Sequence, residues 1–562
     1  MMSADVIFTG GAIFTGAGEP LHGHAVAVTG GRITTVLPAE NTPAYAGPTT
    51  RVVDLAGALL SPGFQDAHIH PVGAGVELLQ CNLSESKSAE EAVATVAAYA
   101  AGNPVPAGTA PSDAWILGGG WTMEHFPGGA PTRGLLDAVV PDRPVVLSSR
   151  DHHSVWANTA AIRLAGLDAT TPDPADGRIE REPDGLPAGT FHEGAEALFD
   201  GVRPAVDDDL LYAGFLRAQE ELIALGVTGW QDAIVGDGGP VANPLRAYLR
   251  AVDEGTLRVH VDGAQWWQRH GGIEQVPGMV TLREEIVARD PRGRLRLGST
   301  KIMVDGVAEN FTAAMLASYH DCHGHATGEF GLSFIEPERL REYVTALDAA
   351  GQQVHFHALG DRAVREALDA LEAARAANGP ATRRHHLAHL QMVDAADVPR
   401  FAEVGAVANL QALWATHEPQ IDGLTLPFLR EGAEERHYPF GDLVEVGARL
   451  AAGSDWPVSS ANPIEAIHVA VNRRLPESTS PVLGAEEQCL DLATALAAYT
   501  SGTAYVNHRD HETGWIRPGY VANVIVLEPD PFSVPAEDIH RVGVASTWID
   551  GEPVFVRDIP PS

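Results

Sequence analysis

The run Ser-Pro-Gly-Phe-Gln-Asp-Ala-His-Ile-His at residues 61–70 ends in two histidines spaced i, i+2, His68 and His70. On a strand, alternate side chains share a face, so both imidazoles point one way and Ile69 the other. Two neutral imidazoles on one face supply half of a divalent metal site, although such a pair also occurs as ordinary hydrogen-bonded histidines near a strand end. Further candidates recur down the chain. Lys301 stands in Gly-Ser-Thr-Lys-Ile-Met-Val-Asp-Gly, His355 and His357 in Val-His-Phe-His-Ala-Leu-Gly-Asp, His385, His386 and His389 in His-His-Leu-Ala-His-Leu-Gln, and Asp455 in Gly-Ser-Asp-Trp-Pro.

Lys301 lies among strand-like apolar residues, where an unpaired ammonium is costly. Two solutions exist: an ion pair with Asp305 or Asp455, or reaction with CO₂ to a carbamate able to bridge two divalent cations. Spacing does not choose between His355 and His357, nor among His385, His386 and His389. Asp455 also suits a turn, but its place after the last strand-like run favours function.

The elements that must position these residues are strands separated by helices. Strand-like runs end near His70, Asp232, Asp262, Asp305, His357, His389, Gln411 and Asp455, with helical segments such as 211–225, 337–350 and 361–377 between some of them. Eight such units predict an α/β protein, a (β/α)₈ TIM-type barrel, whose active residues gather at the carboxyl ends of its strands. The barrel is expected over residues 61–507. Residues 71–205 exceed any βα loop and carry a strand-like piece, Arg143 to Arg150, so an inserted lid subdomain is expected after the first barrel strand. Residues 1–60 and 508–562 read as short strands broken by turn residues, and the two chain ends are expected to build one small β-sandwich.

Composition narrows the partners. A formal charge of −36 repels nucleic acid and anionic membrane surfaces, and no apolar run reaches the ~20 residues of a membrane span. The first residues do not read as a secretory leader, and the three cysteines, widely spaced, fit a reducing cytoplasm rather than a disulfide framework. A homodimer is the base-rate expectation for assembly.

The order His-x-His, Lys, His, His, Asp along eight strands resembles the amidohydrolase superfamily. More narrowly, Pro-Gly-Phe-Gln-Asp-Ala-His-Ile-His, His-Ala-Leu-Gly-Asp-Arg-Ala-Val and Gly-Ser-Asp-Trp-Pro are similar to amidohydrolase family 3 of the YtcJ-like kind, whose best-described activity type is N-substituted formamide deformylation. Arg-Asp-His-His-Ser-Val-Trp-Ala-Asn at 150–158 extends the resemblance into the insertion. The resemblance implies His68, His70 and Asp455 on one metal, His357 and His389 on a second, and carbamylated Lys301 between them. It also marks a departure: Ala388 stands where the family has a glutamate, which removes a contact behind His389.

Zn²⁺, one or two ions per chain, is the expected cofactor for such ligands. Metal-activated hydroxide would then cleave a non-peptide C–N bond of a linear amide, an N-substituted formamide first, with Asp455 as proton shuttle. Cyclic imides, carbamates or esters are the alternative substrates, and a non-catalytic binding barrel is the alternative outside enzymology. Trp121, Trp156, Trp414 and Trp456 near strand ends or in the insertion suggest an apolar or aromatic small molecule, and His153 is a further candidate contact.

Overall fold

The computed structural model describes residues 3–239, 242–380 and 383–557. Its centre is one parallel sheet whose strands run in chain order: β1 Phe64–Ile69, β2 Val227–Val235, β3 His260–Trp266, β4 Leu295–Met303, β5 Gln353–Ala358, β6 His386–His389, β7 Val407–Leu410 and β8 Arg449–Ala452. Beyond the strand ends the Asp455 N–H donates to the His68 carbonyl at 2.7 Å and the His70 N–H to the Trp456 carbonyl at 2.9 Å, which draws the last strand to the first and rounds the sheet into a barrel. Both faces are covered, so strands such as β1 and β7 are buried at every residue and show no polar alternation.

The expected helices form with small shifts. Helix α1, Asp208–Ala224, starts three residues ahead of the apolar pattern because Asp207 caps it, accepting from the Leu210 N–H at 2.8 Å, and two more acids fill its first turn. Its buried stripe of Leu211, Phe215, Ala218 and Leu222 packs on the barrel. Helices α2, Pro337–Ala349, and α3, Asp361–Asn378, cover β5 in the same way. Two strand ends differ from expectation: β2 continues to Val235 and β3 to Trp266. Asp232 and Asp262 are mid-strand because each finds a partner there, Asp232 the Tyr248 hydroxyl at 2.6 Å and Asp262 the Arg509 guanidinium. A satisfied carboxylate does not end a strand.

Around the barrel lie three more sheets. Four strands from the start of the chain, Val6–Thr9, His24–Thr29, Arg32–Pro38 and Arg51–Asp54, form one. A second mixes both ends, joining Ala12–Ile13 and Leu59–Pro62 to Val524–Glu528, Gly543–Ile549 and Glu552–Val556. Phe8, Val26, Leu60, Val524 and Trp548 share the core between them, with Phe8 and Trp548 edge to face at 5.0 Å. The third sheet has six strands between Cys81 and Glu193 and packs Trp121, Phe126 and Trp156 beneath it. Among the described residues no helix is long and apolar enough to cross a membrane.

Candidate metal centre

β1 carries His68, and His70 follows one residue beyond its end. Both present Nε2 to one oxygen, Asp455 Oδ1, at 3.3 Å and 3.0 Å. β4 brings Lys301 Nζ to 3.4 Å from His68 Nε2. β5 and β6 supply His357 and His389, whose rings lie 4.5 Å apart, and the His389 ring is 4.7 Å from that of His68. His389 Nδ1 is 3.8 Å from Asp455 Oδ2. Donor atoms of His68, His389 and Asp455 all fall within 4.8 Å of one another, the spacing of a shared ion. The six residues therefore meet at one place although hundreds of residues separate them in sequence.

Their protonation suits metal ligation. Burial, and then the Lys301 charge, lowers His68 to about 3. Burial also holds His357 and His389 well below the usual imidazole range, so these rings are neutral. Asp455 is held well below the carboxylate range because His68 and His70 outweigh its burial. Burial pushes Lys301 down to about 7 against the opposing pull of Asp455. Its one polar side-chain contact among the described residues is His68, so neither Asp305 nor Asp455 forms the ion pair weighed from the sequence. Asp305 is engaged elsewhere, accepting the Ala314, Leu359 and Gly360 N–H groups at 2.9, 3.1 and 2.9 Å.

The donors also lack other partners. Among the described residues both ring nitrogens of His389 and Nδ1 of His70 are buried without a hydrogen bond. Each such atom costs about 1–3 kcal/mol unless something satisfies it, and a divalent ion among neutral imidazoles and a carboxylate does so. His389 and Asp455 also sit at positive φ, 80° and 55°, a strain of about 1–3 kcal/mol each that surrounding contacts must hold. They do: the His389 N–H donates to Gln411 Oε1 at 2.7 Å, and the Asp455 N–H is tied to His68. Gln411 thus anchors the backbone beside Ala388.

Two supporting residues escaped the sequence reading. Asp66 accepts the His68 N–H at 3.0 Å and the Ser454 N–H at 3.0 and 3.1 Å, tying β1 to the segment that carries Asp455. Its i, i+2 spacing before His68 was the available clue. His355, weighed from the sequence only as a rival ligand, lies behind the site, with Nε2 at 2.7 Å from His68 Nδ1. His386 packs against His355 at 4.2 Å between ring centres, and His385 faces outward to Asp348 at 3.1 Å. None of these three reaches the metal-facing side.

The amidohydrolase family model matches residues 51–555. The chain belongs to the amidohydrolase family. It is 28% identical to the protein LONG AFTER FAR-RED 3 of Arabidopsis thaliana, over 98% of this chain and 92% of that one. It is also 28% identical to the N-substituted formamide deformylase of Arthrobacter pascens, over 94% of each chain. Among solved structures, an uncharacterised metal-dependent hydrolase from Pyrococcus horikoshii superimposes with a TM-score of 0.70 at 24% identity, covering 94% of this chain and 99% of that one, which establishes the shared fold. Membership makes the chain a hydrolase acting on C–N bonds.

In this family member the cluster opens into two cavities, one of about 320 Å³ and one of about 440 Å³. His153 reaches both from the insertion. Burial alone would lower its pKa, but Glu193, 3.0 Å from Nδ1, and Asp151 carry it up to about 10, so it is a cation facing His357 at 5.7 Å between rings. Trp414 stacks on His389 at 5.3 Å with the planes 5° apart. Trp121 touches the smaller cavity while its Nε1–H is spent on the Leu147 carbonyl at 2.8 Å. Trp156 and Trp456 line neither cavity. Trp156 is fully buried in the insertion's core, and Trp456 is half-buried and packs against the barrel core.

Proposed function

We propose that this site hydrolyses the C–N bond of a linear amide, with N-substituted formamides as the simplest members of the class. The observation that carries the reading is the convergence of His68, His70, Lys301, His357, His389 and Asp455 on one place, with ring nitrogens of His70 and His389 left without a hydrogen bond among the described residues. The deformylase relative supports an amide as substrate. His68, His70 and Asp455 would hold one divalent ion and His357 and His389 a second, Zn²⁺ by the chemistry of the donors. Lys301 would bridge them once carbamylated: its amine, brought near neutrality by burial, bonds to the carbon of CO₂ and releases one proton, so a neutral amine becomes an anionic carbamate. When bound, the ion supplies Lewis acidity to the amide carbonyl and acidifies water.

The chain's own residues do the rest. Asp455, anionic and at the centre of the cluster, takes a proton as water attacks the carbonyl carbon, then delivers it to the nitrogen as the C–N bond breaks, so the amine leaves neutral. Protonated His153, aimed by Glu193, donates to substrate oxygen from above. The insertion within residues 71–205 serves as the lid that excludes bulk water, and the sheets of residues 1–60 and 508–562 form a separate supporting domain.

The test is elemental analysis of the purified protein together with hydrolysis of N-benzylformamide before and after chelation. One or two equivalents of zinc, with amine release abolished by chelator and restored by Zn²⁺, is the expected outcome. A protein that takes up no divalent ion after reconstitution refutes the reading.

A further inference from the structure

We infer, resting on amide hydrolysis at this site, that the natural substrate carries a sizeable, non-anionic group on both sides of the scissile C–N bond, so that its acyl part is larger than formyl. The two cavities lie over opposite halves of the barrel mouth. The smaller is walled by Gln391, Leu413, Trp414 and Tyr438, which follow β6 and β7. The larger is walled by Ile234, Trp266 and Met303, from β2, β3 and β4, together with Arg203 of the insertion and Arg269. They meet at His357, His389 and Asp455, beneath Asp151 and His153.

An amide is planar and its trans form directs the acyl substituent and the nitrogen substituent away from each other. A carbonyl carbon attacked where the cavities meet therefore sends one substituent into each. In a formamide the acyl substituent is a hydrogen, and one cavity is left to water. Bound ions and an attacking water take only part of the larger cavity, on the order of three water volumes or ~90 Å³, out of about 440 Å³.

The walls state what the second group is. Arg269 is already paired with Asp176 at 3.0 Å and lies over the Phe334 ring at 4.6 Å, and Arg203 is paired with Asp200 at 2.6 Å. With both cations paired, Trp266 and Phe334 beside them and Glu193 and Glu196 on the same wall, the larger cavity suits an aromatic or hydrogen-bonding group rather than a carboxylate. The smaller cavity sets Leu413, Trp414, Ile421 and Leu475 beside the carboxyl groups of Glu309, Glu418 and Glu465, so it too suits a group that is not an anion.

The experiment uses the metal-loaded enzyme and three N-benzyl amides, those of formic, acetic and phenylacetic acid, with each kcat/KM divided by the rate of the same amide in hydroxide. Each buried methylene is worth roughly four-fold, so the normalised value is expected to rise at least ten-fold from formyl to phenylacetyl. Met303→Trp, at a half-buried wall position of the larger cavity, should cut the phenylacetyl-to-formyl ratio at least ten-fold. A formamide equal to or better than the phenylacetamide, or a ratio unmoved by Met303→Trp, overturns the inference. Loss of all amide hydrolysis in a metal-replete enzyme would instead overturn the amide reading beneath it.

Discussion

Replacing His355 by phenylalanine tests whether the histidine behind the site positions His68. His68 turns Nε2 to Asp455, 3.3 Å away, and Nδ1 to His355 Nε2, 2.7 Å away, with both residues at most 1% exposed. If Nε2 binds metal, Nδ1 carries the proton and donates to His355, which fixes both the tautomer and the ring plane. Phenylalanine fills the space and removes the acceptor, leaving a buried N–H unpaired at about 1–3 kcal/mol. Charged to the metal-competent tautomer, that penalty predicts a loss of about 10- to 100-fold in metal affinity, the range typical for partners behind a metal ligand. His355→Gln, whose side-chain carbonyl can still accept, should recover part of it. The assay is a competitive chelator titration of zinc, with urea unfolding of the metal-free proteins as the control for general damage. Wild-type affinity in His355→Phe, or equal losses in Phe and Gln variants, would refute the reasoning.

Lys301→Met should stabilise the metal-free protein while abolishing uptake of a second ion. The folded value of about 7 lies below the ordinary 10.5, so the buried lysine costs nothing above pH 10.5, costs progressively more as pH falls toward 7, and costs its full amount below that. Urea unfolding should accordingly show a larger gain near pH 6 than near pH 9, and an equal gain at both would contradict a buried, proton-poor amine. Asp455→Asn keeps an oxygen donor but loses the base, and kcat is expected to fall by about 10²- to 10⁴-fold with at least one metal retained; near-normal turnover would remove the shuttle role.

Much of the barrel was legible because its strands are short apolar runs bounded by turn residues and its helices carry a 3.6-residue stripe, as in Leu211, Phe215, Ala218 and Leu222. The exceptions share a cause. Asp232 and Asp262 were read as strand ends, yet Tyr248 and Arg509, distant in sequence, satisfy them within the strand. Tryptophans behaved alike: Trp414 faces His389 whereas Trp156 fills the insertion's core, and nothing in the local sequence separates the two.

His-x-His on a strand, a lysine among apolar residues and Asp455 after the last strand are local facts, and with the period-2 and period-3.6 patterns they determined the fold class, the family resemblance and the candidate ligands. Only the tertiary structure decided which histidine of each cluster reaches the site, because His355 and His357 share one face of β5 and differ by one pleat of depth, a difference in distance to His68 and His389 that no spacing encodes. The same holds for Lys301, whose lack of a carboxylate partner among the described residues is a statement about three-dimensional neighbours. The two-sided cavity is likewise assembled from loops of many strands. Its volume and its neutralised arginines exist only once those loops are brought together, since a cavity is the space that packing leaves and not a property of any segment.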